Sequence, residues 1–153
     1  MTDRDLRLIL TKSCNYRCSF CHQEGVTHEI LKTLTNEDYV FLYNTLHHQQ
    51  NIQAVTLTGG EPLMYQKIVS LCKLLYDCKA KITLVSNGSL LNRFHEIGEW
   101  LHRINISLHT LDQEQYQDIT QTKTRLDHIL NNIELMRNLY PNLQIRLNAT
   151  VVK

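Results

Sequence analysis

The sequence predicts an α/β protein built on a parallel sheet, with about five strand–helix units in 153 residues. Segments with strand-like and helix-like spacing of apolar residues alternate along the chain, which is the pattern of parallel strands joined by crossover helices. The later strands are apolar on one face and polar on the other, so helices are expected to cover one face only. With 42% apolar and 20% charged residues, the chain is sized for one domain, placed at residues 1–153.

The first half of the chain predicts two strands and two helices. Leucines alternate with Arg7 and Ile9 from Leu6 to Leu10, which predicts a first strand that runs directly into a cysteine-rich loop. Thr35 to Asp38 has the pattern of a capping box, and a helix is expected to follow it. The second strand, Ala54 to Thr58, is broken by two glycines. Apolar residues at helical spacing then predict a second helix: Ile68, Leu71, Cys72 and Leu75.

The second half continues the alternation. The stretch KITLVSNG, residues 81–88, predicts a third strand that ends in a turn, and a short helix is expected from there to Leu101. The stretch RINISLHT, residues 103–110, predicts the fourth strand. Thr124 to Asp127 is expected to cap the next helix, and Pro141 stops that helix. Residues 143–152 predict the fifth strand.

The last two strands divide sharply into an apolar and a polar face. The polar positions are Asn105, Ser107 and His109 in the fourth strand and Arg146, Asn148 and Thr150 in the fifth. Because helices must pack on the apolar face, the polar side chains are expected to point into a concave interior. A closed eight-stranded barrel would fill its interior with branched apolar side chains. The sheet is therefore expected to line a cavity for a polar ligand.

Charge and composition exclude several classes of function. Lys and Arg number 16 against 15 Asp and Glu, and there is no basic stripe of the kind that binds nucleic acid. The first ten residues, MTDRDLRLIL, lack the apolar stretch of a signal peptide, and no run approaches the ~20 residues of a membrane span. We therefore expect a cytoplasmic protein without nucleic-acid or membrane partners. Cysteines stay reduced in that compartment, so the five cysteines indicate metal binding or catalysis. Cys72 and Cys78, on or near a helix's apolar stripe, are interpreted as structural thiols.

The stretch SCNYRCSFCHQEG, residues 13–25, can be interpreted as three kinds of metal site. Cys14, Cys18 and Cys21 have the spacing C-x3-C-x2-C, which suits an iron–sulfur cluster with one iron left without a protein ligand. The segment from Cys18 to His22 also matches the C-x-x-C-H attachment of a c-type haem, but those proteins are exported. A zinc site made of the three cysteines and His22 would require the adjacent side chains of Cys21 and His22 to converge on one ion, which their divergence opposes.

Taken with the glycines after the second strand, the cysteine run resembles the signature of the radical S-adenosylmethionine (SAM) enzymes. In that superfamily C-x3-C-x2-C follows the first strand and G-G-E-P, here residues 59–62, follows the second. The resemblance implies a partial (β/α)6 barrel of the radical SAM type. It also implies a [4Fe–4S] cluster with Cys14, Cys18 and Cys21 as iron ligands and as the catalytic cysteines, and SAM bound at the fourth iron. One electron from the cluster then cleaves SAM to methionine and a 5′-deoxyadenosyl radical, which abstracts hydrogen from the substrate.

The resemblance also implies cofactor contacts at particular residues. The backbone of Phe20 is expected to meet the adenine, and Gly59, Gly60 and Glu61 are expected to receive the methionine end. A chain without Cβ atoms lets the backbone approach a ligand closely, which accounts for the two glycines. Ser107 is the matching position for a further SAM contact. The alternative for Ser107 is a polar side chain that only fills the interior.

Within the superfamily the chain is similar to the GTP 3′,8-cyclase family of molybdenum cofactor synthesis. The likeness is carried by RDLRLILTKSCNYRCSFC and by RINISLHTLDQEQYQDIT, where that family usually has S-L-D-S-L-D-P-E. It implies that Arg7, Ser86 and Arg146 contact GTP. Thr56 and Ala54 stand where that family often has basic residues, and a hydroxyl does not replace a charged contact to phosphate. The family carries a sixth strand and three further cysteines, so we expect a core domain that is incomplete at its C-terminus and does not cyclise GTP by itself.

Two other functions remain open at this point. One is a radical SAM enzyme that modifies a peptide or another small molecule, and the other is a non-catalytic iron–sulfur or zinc-binding module. The expected partners are a small-molecule substrate, GTP by resemblance, and an electron donor such as flavodoxin or ferredoxin. A fifth strand at the edge of a sheet leaves backbone groups unpaired, so self-association through that edge is also expected.

Overall fold

The computed structural model describes residues 4–21, 35–48 and 52–150, and within them it contains five strands and four α-helices. The elements are β1 (Arg4–Ile9), α1 (Asn36–His48), β2 (Ile52–Thr58), α2 (Ile68–Asp77), β3 (Lys81–Ser86), β4 (Leu101–Ser107), α3 (Gln113–Thr120), α4 (Leu126–Leu139) and β5 (Gln144–Asn148). Two short 3₁₀ helices, Pro62–Met64 and His95–Glu99, lie in the connections. His22, on which the haem and zinc interpretations depend, lies outside the described residues, as do residues 151 and 152 of the predicted fifth strand.

All five strands form one parallel sheet in the order β1-β2-β3-β4-β5. Each strand therefore pairs with the strand that follows it in the chain, and the carboxyl ends of all the strands meet at one edge of the sheet. Within the described residues β1 does not pair with β5, so the sheet is open rather than closed into a barrel. The predicted α/β class and the predicted parallel sheet are confirmed.

One face of the sheet carries the hydrophobic core. Its central register row consists of Leu8, Leu57, Leu84, Ile104 and Ile145. Leu57, Leu84 and Ile104 have no exposed surface, and burying side chains of this size stabilises the fold by roughly 1.5–3 kcal/mol each. Helices α2 and α4 cover this face. Cys72 on α2 is fully buried, in agreement with its interpretation as a structural thiol.

The opposite face is polar and open to solvent, and we call it the open face. One register row across all five strands contains Arg7, Thr56, Thr83, Arg103 and Gln144. The next row towards the carboxyl ends contains Val85, Asn105 and Arg146, and the row beyond it contains Ser107 and Asn148. The predicted polarity of β4 and β5 is confirmed. Arg103 donates two hydrogen bonds to Gln144 Oε1, at 3.0 and 2.8 Å.

The predicted capping box at the start of α1 is confirmed. Asp38 N–H donates to Thr35 Oγ1 at 3.2 Å, and Thr35 N–H donates to Asp38 Oδ2 at 2.7 Å. These reciprocal bonds lower the pKa of the exposed Asp38 carboxyl, because they favour its charged form. In the described part of the chain, none of the helices has the length and the hydropathy that crossing a membrane requires.

The predicted cap of α4 is wrong by one residue. The N-cap position is Arg125, whose side chain makes no capping bond, and not Thr124. The first backbone N–H of α4 is instead hydrogen-bonded to a side chain of α3, since Leu126 N–H donates to Gln113 Oε1 at 2.8 Å. A side chain from another helix therefore replaces the local cap that the sequence predicted.

Other elements also differ from the sequence prediction. Helix α3 was not predicted, although Asp112 caps it by accepting from Gln115 N–H at 2.9 Å. The helix expected before Leu101 is a five-residue 3₁₀ helix, and β4 starts at Leu101 rather than at residue 103. Strand β5 starts at Gln144 and ends at Asn148.

Strand β5 lies at the edge of the sheet, and its apolar face is only partly covered. Leu147 is 55% exposed. A surface depression of about 490 Å³ lies between α4 and β5 and is lined by Ile133, Tyr140, Ile145 and Leu147, among others. No strand among the described residues pairs with the outer edge of β5.

We expect this 153-residue chain to self-associate through the outer edge of β5, because that edge presents unpaired backbone groups beside an exposed apolar side chain. Leu147→Lys should shift the chain towards monomer in sedimentation velocity, since a charged edge strand resists pairing. Leu111→Lys is the control, because Leu111 is 75% exposed but lies in the connection after β4. A sharply monodisperse wild-type monomer would contradict the prediction.

Candidate functional site

The cysteine loop, defined here as residues 10–21, follows β1 and packs against the glycine pair after β2. Gly60 N–H donates to the carbonyl oxygen of Thr11 at 2.7 Å, and Glu61 N–H donates to that of Ser13 at 2.8 Å. A Cβ atom on Gly59 would overlap the Thr11 carbonyl, and one on Gly60 would overlap the Ser13 carbonyl. Gly59 also has a positive φ of +150°, which side chains rarely adopt. The two glycines were expected to allow close approach of a ligand, whereas in the structure it is the cysteine loop that approaches them closely.

The other side of the cysteine loop is held by the end of α3. The backbone N–H groups of Arg17 and Ser19 donate to the carbonyl oxygens of Thr120 at 3.1 Å and Ile119 at 2.9 Å. The last carbonyl groups of a helix have no partner within the helix, so they are available to the loop. The loop therefore supplies hydrogen-bond donors to the last carbonyl groups of α3, and the same bonds hold the loop backbone in place.

Two tyrosines reinforce this contact. Tyr16 of the cysteine loop and Tyr116 of α3 share a hydrogen bond of 2.9 Å between their hydroxyl groups. Their rings meet edge to face with centroids 6.4 Å apart. Tyr116 is fully buried and Tyr16 is 5% exposed, and this burial raises the pKa of the Tyr16 hydroxyl. Helix α3, which the sequence analysis missed, is thus a main support of the loop that carries the cysteines.

Glu61 connects the glycine pair to the turn after β3. Its carboxylate is 1% exposed and accepts three hydrogen bonds, from Leu63 N–H at 3.1 Å, Ser86 Oγ at 2.9 Å and Asn87 N–H at 2.8 Å. Burial raises the pKa of the Glu61 carboxyl, and the three donors oppose that shift. Ser86 is itself 3% exposed and also accepts from Gly88 N–H at 3.0 Å. We therefore assign Ser86 to this network, which differs from the nucleotide contact that the resemblance implies.

Asn87 extends the network to the first cysteine. Its side-chain amide donates to Asn15 Oδ1 at 2.8 Å and approaches Cys14 Sγ at 4.0 Å. Asn15 donates to Ser89 Oγ at 2.8 Å, and Ser89 Oγ donates back to Asn87 Oδ1 at 2.6 Å. Cys14 Sγ also accepts from Tyr16 N–H at 3.4 Å. The sequence analysis identified residues 87 and 88 only as a turn and did not identify Asn15, Asn87 or Ser89 as part of the site.

The three cysteines of the loop are free thiols in one small region. Cys14 and Cys21 are exposed and Cys18 is half-buried. Burial raises the pKa of Cys14, and it raises the pKa of Cys18 to about 11, with further contributions from the charges of Cys14 and Cys21. Three free thiols on one loop match, in kind and number, the donor set of a cluster with three protein ligands. Over residues 4–21, 35–48 and 52–150, however, no three His, Cys, Asp or Glu side chains are already arranged to hold a metal ion.

Phe20 lies over the carboxyl end of β4. Its ring meets the ring of His109 at an angle of 67°, with centroids 4.5 Å apart. His109 Nδ1 accepts from Thr150 N–H at 3.0 Å, so the neutral ring carries its proton on Nε2, and burial lowers the pKa of His109. Ser107, two residues before His109, is half-buried and lies on the open face. The structure thus brings Phe20 of the cysteine loop against His109, two residues beyond Ser107 at the carboxyl end of β4.

Arg7 and Arg146 lie on the same open face, and both side chains are exposed. They occupy the two edge strands, four strand spacings apart, which is about 19 Å along the sheet. Depressions of about 490 and 340 Å³ lie elsewhere, beside α4 and near the amino end of β4. Neither depression includes Arg7 or Arg146, so the cavity expected for a polar ligand stays a prediction.

The chain is similar in sequence to proteins of a known superfamily. The sequence profile of the Radical SAM superfamily matches residues 8–152. The chain belongs to the radical SAM superfamily. It is 36% identical over 152 residues to the probable GTP 3′,8-cyclase of Thermococcus kodakarensis, an alignment that covers 97% of this chain and 48% of that protein. This radical SAM chain spans about half the length of the curated relatives that it matches.

Solved radical SAM structures share the fold. The crystal structure of Streptococcus suis SuiB bound to its precursor peptide SuiA superposes with a TM-score of 0.78 at 22% identity, covering 99% of this chain and 34% of SuiB. SuiB bound to S-adenosylmethionine gives a TM-score of 0.76 at 20% identity, covering 99% of this chain and 33% of SuiB. The five described strands thus form a partial (β/α) barrel of the radical SAM type.

Gly60→Ala should displace the cysteine loop, because the added Cβ would overlap the backbone carbonyl of Ser13. We expect a loss of about 1–3 kcal/mol in the free energy of unfolding, measured by urea denaturation, together with a lower iron content after reconstitution. Ser19→Ala is the matched control, since only the backbone of Ser19 holds the loop. If Gly60→Ala matched the wild type in unfolding free energy and in iron content, the close contact between Gly60 and Ser13 would not be needed to hold the loop.

Glu61→Gln should change how stability depends on pH. Because burial raises the pKa of Glu61 above 4.5, the folded protein keeps this proton to a higher pH than the unfolded chain does. The stability advantage of the wild type over Glu61→Gln should therefore shrink as pH rises from 4.5 through the raised pKa, in urea unfolding from about pH 4 to about pH 8. An advantage that grows with pH would mean that the three donors lower the pKa of Glu61 instead.

Proposed function

We propose that this radical SAM domain binds a [4Fe–4S] cluster through Cys14, Cys18 and Cys21, binds SAM beside it and cleaves SAM reductively to begin a reaction on GTP. A reduced flavodoxin or ferredoxin is the proposed electron source. The observation that supports the proposal is the fixed cysteine loop at the carboxyl ends of the strands, next to an open face that carries exposed arginines. When bound, the cluster supplies the electron that splits SAM into methionine and a 5′-deoxyadenosyl radical.

The chain's part in that chemistry is to place the sulfur atoms and to tune their surroundings. The bonds from the loop to the glycine pair and to α3 restrict the backbone around the three cysteines before any cluster is present. Cys14 Sγ accepts from Tyr16 N–H and lies near the Asn87 amide. Hydrogen bonds to cluster sulfur atoms are among the factors that set the reduction potential, so these two donors are proposed to adjust it.

The glycine segment can receive the methionine end of SAM only through part of its backbone. The N–H groups of Gly60 and Glu61 already donate to the cysteine loop, and the Glu61 carbonyl accepts from Met64 N–H at 2.9 Å. Among the described residues this leaves the carbonyl oxygens of Gly59 and Gly60 without a backbone donor. We therefore assign these two carbonyl groups to the ammonium of SAM and assign the Glu61 carboxylate to positioning. Phe20 and Ser107 are assigned to the adenosine part.

Arg7 and Arg146 are the proposed contacts to the GTP triphosphate. A guanidinium group binds phosphate oxygen atoms through charge-assisted hydrogen bonds, about twice as strong as neutral ones. The two arginines lie on opposite edge strands, so they are expected to approach the triphosphate from opposite sides. Thr56 neighbours Arg7 in register and adds no charge. The choice of GTP rests on these arginines together with the 36% identity to a probable GTP 3′,8-cyclase.

The first test is the iron content and the cleavage of SAM. Anaerobically reconstituted protein should hold about four irons and four sulfides per chain and, once reduced, should cleave SAM slowly without substrate. Cys18→Ala should abolish both properties because Cys18 is a proposed iron ligand. Cys72→Ala is the control and should retain both, since Cys72 is fully buried on α2.

Three results would contradict the proposal in different ways. One tightly held zinc without visible-range absorbance would indicate a zinc module. A cluster that binds but never cleaves SAM would indicate a non-catalytic iron–sulfur module. Equal loss of the cluster in Cys18→Ala and Cys72→Ala would show that the cysteines are assigned to the wrong groups.

The second test concerns the substrate. Arg7→Ala and Arg146→Ala should each weaken GTP binding by about 1.5–3 kcal/mol, measured by anaerobic titration, because each removes a charged hydrogen bond. Arg137→Ala is the control, since Arg137 is exposed on α4 and lies on the other side of the sheet. Wild-type protein that binds ATP as well as GTP, or binds neither, would contradict the choice of GTP.

A further inference from the structure

Two buried side-chain polar atoms in the described part of the chain have no hydrogen-bond partner, Asn105 Oδ1 and Gln113 Nε2. Gln113 has a structural task, because its Oε1 atom caps α4 by accepting from Leu126 N–H at 2.8 Å. The Oδ1 atom of Asn105 has no such task. Leaving a buried amide oxygen without a donor destabilises the folded state, and buried polar groups in folded proteins are rarely left unpaired. Conflicts of this kind between local physics and fold are expected at functional sites.

The position of Asn105 in the sheet indicates which ligand could bond to its Oδ1 atom. Asn105 lies on the open face of β4, between Val85 of β3 and Arg146 of β5 in the register of the sheet. Ser107, the proposed SAM contact, is two residues nearer the carboxyl end of the same strand. Arg103, in the register row of Arg7, is two residues nearer the amino end. Along β4, Asn105 therefore lies between Ser107, the proposed SAM contact, and Arg103.

The ligand group at Asn105 Oδ1 must be a hydrogen-bond donor. Phosphate groups are acceptors at neutral pH and cannot serve it. The exposed guanidinium of Arg146 is the register neighbour of Asn105, yet it does not bond to this oxygen in the structure. In a nucleoside triphosphate, the sugar joins the base to the phosphates, and its hydroxyl groups are donors next to the phosphate end.

We propose that Asn105 Oδ1 accepts a hydrogen bond from a ribose hydroxyl of the bound nucleoside triphosphate and so helps the domain to select a ribonucleotide. This inference rests on the proposed function, because it requires GTP on the open face. A site built to hydrogen-bond a hydroxyl rejects the analogue that lacks it, since the buried acceptor is then left unpaired.

The test is a double-mutant cycle in which the second change is made in the ligand. Binding of GTP, 2′-deoxyGTP and 3′-deoxyGTP is measured by anaerobic titration for the reconstituted wild type and for Asn105→Leu. Wild type should bind one of the two deoxy analogues about tenfold more weakly than GTP. Asn105→Leu should bind GTP about tenfold more weakly than wild type does, with no further loss for that analogue. SAM binding should be unchanged in the variant.

Thermal unfolding distinguishes a role of Asn105 in ligand binding from a role in stabilising the fold. Asn105→Leu should keep or raise the melting temperature, because it removes a buried acceptor that has no donor. The matched control is Asn132→Leu. Asn132 is 4% exposed, but its amide donates to the Gly88 carbonyl oxygen at 2.9 Å. The same substitution there removes a formed bond and should lower the melting temperature by several degrees.

Several outcomes would overturn the inference. Equal affinity of the wild type for GTP and both deoxy analogues would mean that no ribose hydroxyl reaches Asn105. A loss of SAM affinity in Asn105→Leu, with GTP affinity unchanged, would assign the acceptor to the cofactor. A fall in melting temperature equal to that of Asn132→Leu, without analogue discrimination by wild type, would make Asn105 structural. Wild type that binds no GTP at all would instead overturn the proposed function, and this inference with it.

Discussion

The site depends on one backbone contact, in which the cysteine loop lies directly against Gly59 and Gly60. Two short hydrogen bonds, 2.7 and 2.8 Å, join the loop to this segment, and neither glycine has room for a Cβ atom. The contact fixes the start of the loop to the end of β2. Glu61, the next residue, links this segment to the end of β3, because its buried carboxylate accepts from Ser86 Oγ and Asn87 N–H. The ends of three neighbouring strands are thereby held as one unit.

The far end of the cysteine loop is held by different means. Backbone bonds to Ile119 and Thr120, together with the Tyr16–Tyr116 pair, fix it to α3. Beyond them, the Phe20 ring rests on His109, whose Nδ1 atom is bonded to Thr150 after β5. The cysteines thus lie on a segment that is supported at both ends while the thiols of Cys14 and Cys21 stay exposed. Such an arrangement limits the backbone reorganisation needed when three thiolates gather around a positively charged cluster.

Much of the sheet could be predicted from the sequence, because strand faces and helix caps depend on residues that are close together along the chain. The alternation around Ile104 and Asn105 gave the two faces of β4 correctly, and the capping box at Thr35 is confirmed by its two reciprocal bonds. Helix α3 was missed because its residues are mostly polar and its apolar anchor is a single buried tyrosine. The Thr124 cap was wrong because Gln113, a residue far from Thr124 along the chain, satisfies the first donor of α4. A local pattern cannot report such a tertiary partner.

The roles of the motif residues were harder to predict than the fold. The family resemblance implied that Gly59, Gly60, Glu61 and Ser86 contact ligands. Only the structure shows that the Glu61 carboxylate and the Ser86 hydroxyl are buried and mutually bonded. The unpaired oxygen of Asn105 likewise becomes visible only when every neighbouring strand is in place. Contacts that depend on three or more separate segments cannot be read from spacing along one of them.

The central claim is that the cysteine loop is already held in place without a cluster. Native-state hydrogen exchange of the cluster-free protein tests it most directly, at the N–H groups of Arg17, Ser19, Gly60 and Glu61, which form the loop's backbone bonds. The account predicts slow exchange at all four, close to that of the core strand residue Ile104 and unaffected by adding the cluster. Exchange at the rate of an unstructured chain, slowing only after reconstitution, would show that the cluster organises the loop and would contradict the account.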